Sequence, residues 1–198
     1  MNLKVYSRRK LITPYDKELK YLESNGTQYI ETGIIPKNNT GIYINATCLN
    51  STDSFIVGLR NSSGNTRWCI GRGSAFYYGY GTFHTTNVKD YSAECWLNFM
   101  NDRKFKIKNT NFNISYDINN LSFTPTYNIR LFGSAGATGS FSKWSGRLYN
   151  VKITQASNLI MDFIPVRVGE TGYMYDLISG TLFGNKGTGN FILGPDKL

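Results

Sequence analysis

The sequence predicts an all-β protein folded as a sandwich of two antiparallel sheets. Short runs alternate between apolar and polar residues, as in residues 149–154, where Tyr149, Val151 and Ile153 share one face of a strand. Turn-forming residues separate these runs, and the chain contains 20 glycines. No segment longer than ten residues shows the 3.6-residue period of a helix. With 198 residues, 40% of them apolar, the chain is long enough for one domain with a sizeable core.

The predicted strands follow one another along the chain. The alternation is clearest in residues 41–49, where every second residue from Ile42 to Cys48 is apolar. Two pairs of runs flank short turns, at residues 101–103 and 156–158, and these predict hairpins. Pro165 is expected to end the last strand, because proline cannot donate a ladder hydrogen bond. The predicted strands are residues 28–34, 41–49, 54–59, 66–70, 75–80, 94–100, 104–108, 112–116, 127–132, 146–154 and 159–166.

A short basic arm is predicted at the N-terminus, over residues 1–20. This segment has six lysines or arginines against two acids, and its periodicity is weak. One interpretation is a disordered terminus. The other is an extended anchoring arm outside the sandwich, which becomes ordered on a partner. Its anchoring candidates are Lys4, Arg8, Arg9 and Lys10. The basic run has no apolar run after it, and the chain has no long apolar window, so neither a secretory signal nor a membrane partner is expected.

Two segments carry a resemblance to a known family. The first reads Tyr-Leu-Glu-Ser at 21–24, Gly-Thr-Gln-Tyr-Ile at 26–30 and Thr-Gly at 32–33. The second begins Gly-Arg-Leu-Tyr-Asn-Val-Lys-Ile-Thr at 146–154 and continues through Leu-Ile-Met-Asp-Phe-Ile-Pro-Val-Arg at 159–167. They resemble the opening and closing motifs of concanavalin A-like (laminin-G-like) jelly-roll domains of phage and gut-bacterial surface proteins. The resemblance implies a jelly-roll sandwich over residues 21–198, in a fold that hosts enzymes, lectins and inert modules.

The sequence does not predict a catalytic or metal site. Glucanases of this fold group carry clustered acids of the type Glu-x-Asp-x-x-Glu, which would supply the carboxylate pair that glycoside hydrolysis needs. In this chain the acids are scattered, and His84 is the single histidine. The three cysteines lie in apolar runs and are interpreted as small buried hydrophobes. We therefore expect no catalytic residue, no metal and no cofactor.

An aromatic stretch is the feature most open to a functional interpretation. Aromatic faces bind sugars, with nearby polar groups fixing the hydroxyls. Such a site would use Trp68, Tyr78, Tyr80, His84 and Trp144, the last of which lies in a Gly/Ser-rich segment and could sit at a loop tip. The alternative is a strand whose aromatic face belongs to the core. In that case His84 is a loop residue bonded to solvent.

These observations lead to three hypotheses about function. The first is a non-enzymatic phage virion structural protein, such as a capsid decoration, head-fibre or tail-associated subunit. It would be located in the virion after assembly in the bacterial host cytoplasm, bind other virion proteins through the arm and contact host glycans through the sandwich. As a short single domain it is expected to act as a homo-oligomer or repeated subunit, with no nucleic acid partner. The second is a free carbohydrate-binding lectin, and the third is a glucanase-like hydrolase.

Overall fold

The protein is a β-sandwich of two antiparallel sheets. The computed structural model describes residues 13–50, 53–60, 67–89, 93–119, 124–136 and 144–198. Within these ranges there is no α-helix, and one short 3₁₀ turn occurs at Asn101–Arg103. None of the helical structure in the described ranges is long and apolar enough to cross a membrane. The predicted fold class is thus confirmed at the level of a two-sheet sandwich.

The larger sheet has eleven described strands and the smaller sheet has six. Numbered in chain order, the strands of the larger sheet are β1 (Lys17–Glu18), β2 (Leu22–Asn25), β4 (Thr40–Cys48), β9 (Cys95–Phe99), β10 (Lys104–Lys108), β11 (Asn113–Asp117), β13 (Ser145–Gln155), β14 (Asn158–Val168), β15 (Thr171–Asp176), β16 (Thr181–Phe183) and β17 (Ile192–Leu193). Those of the smaller sheet are β3 (Ile30–Glu31), β5 (Ser54–Leu59), β6 (Trp68–Arg72), β7 (Phe76–Tyr80), β8 (Thr82–Thr85) and β12 (Arg130–Leu131).

Strand order places sequence-distant strands side by side. The main path of the larger sheet is β11-β10-β9-β4-β13-β14-β15-β16, and that of the smaller sheet is β3-β12-β5-β6-β7-β8. Strand β4 therefore lies between β9 and β13, with Ile44 opposite both Leu97 and Val151. Because side chains alternate along each strand, these three apolar residues point together into the sandwich while their neighbours point outward.

The core fills the space between the two sheets with aromatic and aliphatic side chains. Trp68 of the smaller sheet packs edge-on against Phe99 of the larger sheet, with ring centroids 5.1 Å apart. Tyr78 lies against Phe105 of the larger sheet, with ring centroids 4.8 Å apart and the ring planes tilted by 34°. These cross-sheet contacts bury large apolar areas, which is the dominant favourable term in folding. They hold the two sheets face to face, so that each sheet keeps one outer face.

Most predicted strands are present, and two shrink. The prediction for residues 54–59 and 104–108 matches β5 and β10, and both predicted hairpins form, with β11 paired beside β10. The prediction for 28–34 reduces to β3, and Gly33, two residues beyond its end, has a φ of 75°. The prediction for 127–132 reduces to β12, which ends where Phe132 leaves the extended region with a φ of 62°.

The N-terminal boundary of the sandwich lies earlier than predicted. Strand β1 pairs with β14, and Leu19 is 0% exposed. The Leu19 amide donates a hydrogen bond to the Pro165 carbonyl, at 2.8 Å. Residues 17–19 therefore belong to the sheet and not to an arm outside it. The anchoring candidates Lys4, Arg8, Arg9 and Lys10 lie outside the described residues.

The prediction that Pro165 ends its strand is wrong, because β14 continues to Val168. Pro165 lies inside β14, opposite Met174 of β15. On the other side of β14, pairing with β13 reaches Phe163 and pairing with β1 begins at Val166. The proline nitrogen falls at this change of partner, where no ladder donor is needed, so the strand continues through it.

Candidate functional site

The sequence-predicted sugar-binding rings are buried. Trp68 and Trp144 are 0% exposed, and Tyr78 and Tyr80 are each 4% exposed. Strand β7 directs Phe76, Tyr78 and Tyr80 inward because these positions alternate, so the aromatic stretch supplies one face of the core. A ring inside the core cannot stack on a sugar. These four positions are therefore corrected from binding candidates to core residues.

Trp144 is not at a loop tip, because its ring packs inside the sandwich. The indole lies 5.7 Å from the Phe132 ring and covers Gly146. A Cβ at Gly146 would overlap the indole, so the glycine makes room for it. His84, the fifth candidate, is exposed on the edge strand β8, where it stacks on Tyr78 and shares a hydrogen bond with Thr82. His84 thus covers the rim of the core.

The thiols and carboxylates of the described residues are arranged for structure. All three cysteines are buried and none of them forms a disulfide, and burial raises the pKa of Cys48 to about 11 and of Cys69 to about 12. The thiols of Cys48 and Cys69 therefore stay protonated and are poor nucleophiles. In the described ranges no three His, Cys, Asp or Glu residues gather as metal ligands would. Asp176, the one fully buried carboxylate among the described residues, accepts three backbone N–H groups in the turn after β15.

Two exposed aromatic rings lie on the outer face of the larger sheet. Trp96 is 47% exposed on β9, and Tyr43 is 40% exposed on β4. Trp96 is opposite Asn45, and Tyr43 is opposite Asn98, so the two rings are diagonal neighbours on one face. Diagonal neighbours in an antiparallel pair are roughly 7–8 Å apart. We call the group Tyr43, Asn45, Glu94, Trp96 and Asn98 the Trp96 surface.

Polar groups surround these rings. The Asn45 amide donates a hydrogen bond to the Glu94 carboxylate, and Asn45 is only 7% exposed, which fixes this pair beside the indole. Lys108 of β10 lies opposite Trp96 on the other side and is exposed. The surface thus combines flat apolar faces with fixed hydrogen-bonding groups. That combination suits a ligand carrying many hydroxyl groups on an apolar ring.

A cleft of about 750 Å³ adjoins the Trp96 surface at Tyr43. This volume lies within the range of ligand sites, roughly 300–1,000 Å³. The cleft is formed where the chain enters β4 and where two hairpins turn. Its lining is mostly polar: Lys37, Asn38, Asn39, Tyr43, Met100, Asn101, Asp102, Arg103, Pro125, Thr154, Ala156 and Ser157.

Asn101 forms the junction between the cleft and the Trp96 surface. Its side chain donates to Asn98 at 2.8 Å and accepts a hydrogen bond from Thr154 at 2.8 Å. It also lies directly over Gly41, where a Cβ would overlap it. The absence of a side chain at Gly41 therefore lets a loop residue settle on the outer face of the sheet.

The turns around this cleft hold strained backbone. Five of the six non-glycine residues with positive φ in the described ranges line it: Met100, Asp102, Arg103, Ala156 and Ser157. Left-handed conformations of such residues are costly and concentrate at functional sites. The turn between β13 and β14 places Ala156 at φ 49° and Ser157 at φ 67°, positions that favour Asn or Gly. The fold thus keeps costly turns at one end of the sandwich.

The sequence analysis singled out Trp68 and Trp144 as binding candidates and left Trp96 undecided between core and surface. A usable signal was present, since Cys95, Leu97 and Phe99 are the apolar set of their strand. The alternation that buries these three must expose Trp96 and Asn98. Tyr43 follows in the same way from the apolar set of β4.

No protein-family model matches the chain, and no curated protein matches it.

Proposed function

We propose that this protein is a non-enzymatic structural subunit of a phage particle whose sandwich binds glycans through the Trp96 surface. The observation that carries the binding part is the exposed pair Trp96 and Tyr43 on an outer sheet face, beside hydrogen-bonding groups held in place. An isolated apolar residue on a surface is ordinary, whereas two rings on one face with fixed polar neighbours form a recognition surface.

The two rings would act on the ligand together with the cleft. A pyranose presents an apolar face to a ring and hydroxyl groups around its edge. The indole of Trp96 would take one sugar ring and Tyr43 the next, while Asn98, Glu94 and Asn101 exchange hydrogen bonds with the hydroxyls. The polar cleft beyond Tyr43 gives a longer glycan room to continue.

The particle part of the proposal rests on the N-terminal charge and on the sequence resemblance. The chain has a net charge of +9, and its first 20 residues hold six of the basic groups. The segment carrying Lys4, Arg8, Arg9 and Lys10 precedes β1, which is hydrogen-bonded to β14. A basic segment joined to a firmly paired strand is suited to dock on an acidic protein shell, because opposite charges attract over a Debye length.

The glycan test compares three proteins on a glycan array and then by calorimetry. The wild type is expected to bind a subset of glycans, and Trp96→Ala is expected to weaken binding at least about tenfold, as a central aromatic contact does. Ile178→Ala is the matched control, because Ile178 is 55% exposed in the turn between β15 and β16. Equal binding by the Trp96 and Ile178 variants would refute the assignment of the surface.

The anchoring test uses a deletion that spares the sheet. Removing residues 1–12 leaves β1 and Leu19 in place, so the sandwich is expected to fold with unchanged glycan binding. The truncated protein should no longer be incorporated into particles, which quantitative mass spectrometry of purified particles measures. Normal incorporation of the truncated protein would refute the anchoring role.

A further inference from the structure

The outer face of the smaller sheet carries a second aromatic group, on the opposite side of the sandwich from Trp96. Strand pairing places Phe55 and Tyr77 on either side of Gly71, and Phe83 opposite Gly79. The Tyr77 ring lies over Gly71, where a Cβ would overlap it. The Phe83 ring stacks near Phe55, with centroids 5.9 Å apart. The glycines thus allow the rings to lie flat on the sheet.

The rings of Phe55, Tyr77 and Phe83 form an aromatic floor, and two arginines lie against it. The guanidinium of Arg67 lies 4.4 Å from the centroid of Phe83, and that of Arg60 lies 5.3 Å from the same ring. Neither arginine forms an ion pair with any residue in the described ranges. The Arg67 Nε is buried and has no hydrogen-bond partner there. Two cations that share one aromatic ring, one of them with an unused buried donor, favour an anion beside that ring.

The cleft beside the arginines is small and has a single acid in its lining. Its volume is about 240 Å³, below the roughly 300 Å³ at which sites for drug-sized ligands begin. It is lined by Asp53, Phe55, Arg60, Tyr77, Phe83 and Thr85, and Arg67 lies outside this lining, against Phe83. The Tyr77 hydroxyl donates to the Ser54 carbonyl at 3.0 Å, so this phenol is already occupied. Burial, and after it the Asp53 carboxylate, raise the pKa of Tyr77, which keeps the phenol neutral.

We propose that this cleft binds the oxyanion group of an acidic sugar. The guanidinium forks of Arg60 and Arg67 take the carboxylate or sulfate, the aromatic floor takes the apolar face of the sugar, and Asp53 accepts a hydrogen bond from a sugar hydroxyl. Asp53 repels a bare anion, so a ligand with both an acidic group and a neighbouring hydroxyl fits better than an inorganic ion. This site shares no residue with the Trp96 surface, so the two proposals are tested independently.

The test titrates the full chain with glucuronate, glucose 6-sulfate, glucose and inorganic sulfate, by calorimetry and by the NMR signals of arginine Nε–H groups. At least one of the two acidic sugars is expected to bind and shift the Arg67 Nε–H signal. Which of the two binds shows whether the site prefers a carboxylate or a sulfate. Glucose is expected to bind far more weakly. No binding of either acidic sugar, or equal binding of glucose or of inorganic sulfate, would overturn the proposal.

Variants separate specific binding from general charge. Arg60→Gln and Arg67→Gln should each weaken the acidic sugar at least about tenfold, since hydrogen bonds to charged groups are among the strong ones. Lys186→Gln removes the same charge from an exposed position in the loop after β16 and should change little. Asp53→Ala should weaken the acidic sugar while strengthening inorganic sulfate. Equal losses of affinity for the acidic sugar in the arginine variants and in Lys186→Gln would contradict the site. So would a change of affinity in Asp53→Ala that has the same sign for the acidic sugar and for inorganic sulfate.

Discussion

The buried carboxylate of Asp176 gives a stability prediction with a defined pH dependence. Its two oxygens accept the backbone N–H groups of Asp162 at 2.7 Å, Ile178 at 3.2 Å and Ser179 at 3.0 Å. Burial acts to raise the pKa of Asp176, but the hydrogen bonds from Ser179, Asp162 and Ile178 outweigh it, so the pKa lies below its ordinary value of 3.8. The ionised form therefore stabilises the turn between β15 and β16.

The substitution Asp176→Asn removes the charge and one strong acceptor while keeping the shape. Leaving buried donors poorly satisfied costs about 1–3 kcal/mol, and the melting temperature falls by about 2–4 °C for each kcal/mol in a chain of this size. Because the folded pKa is depressed, the contribution is fully present above the ordinary pKa of 3.8 and is lost as the pH falls through the folded value. The free energy of unfolding of the wild type should therefore exceed that of Asp176→Asn by a constant amount near pH 7, and the difference should shrink below about pH 4.

Urea denaturation of both proteins between pH 7 and pH 2 measures this difference directly. The control is Asp117→Asn, whose side chain is 77% exposed and paired with Lys104, and this variant should lose less than about 1 kcal/mol. A difference in unfolding free energy between wild type and Asp176→Asn that stays constant down to pH 2, or that grows as the pH falls, would show that the ionised Asp176 carboxylate does not stabilise this turn.

Three further predictions follow from the two outer faces and the core. Gly71→Ala should destabilise the protein by about 1–3 kcal/mol, because its Cβ overlaps the Tyr77 ring, and a change below 0.5 kcal/mol in urea would argue against that packing. Cys69 should resist iodoacetamide at pH 8 until the protein unfolds, since burial raises its pKa to about 12; labelling of the native protein, detected by mass spectrometry, would be inconsistent with it. Trp68→Ala should cost about 3–5 kcal/mol, whereas Trp96→Ala should stay within about 0.5 kcal/mol; similar losses in a thermal melt would contradict their assigned positions.

Local alternation carried most of the fold prediction. The period-2 pattern in β4, β9 and β10 reflects one buried face, and such patterns can be read from the sequence alone. Strand β15 was missed because Gly172 and the surrounding turns resemble a loop, and its burial depends on packing against Leu22 and Leu193 from distant strands. Pairing of β1 with β14 likewise joins residues about 150 positions apart, which no local pattern encodes.

The candidate sites were harder to predict because they depend on which face of a strand meets the other sheet. The sequence indicated aromatic residues correctly but could not decide between core and surface for Trp68 and Trp144. For Trp96 the alternation of its strand did contain the answer. The clustering of Arg60 and Arg67 over Phe83 depends on strand register, and nothing in their spacing along the chain indicates it.

The most direct test of the Trp96 surface follows the three indole N–H signals of the chain in a ¹⁵N–¹H spectrum. A glycan that the array has shown to bind is added stepwise. Only the Trp96 indole is accessible, so we expect its signal to move while those of Trp68 and Trp144 stay in place. A glycan that binds without moving the Trp96 signal, or that moves the two buried indoles instead, would contradict the claim that this protein recognises its ligand on the outer face of the larger sheet.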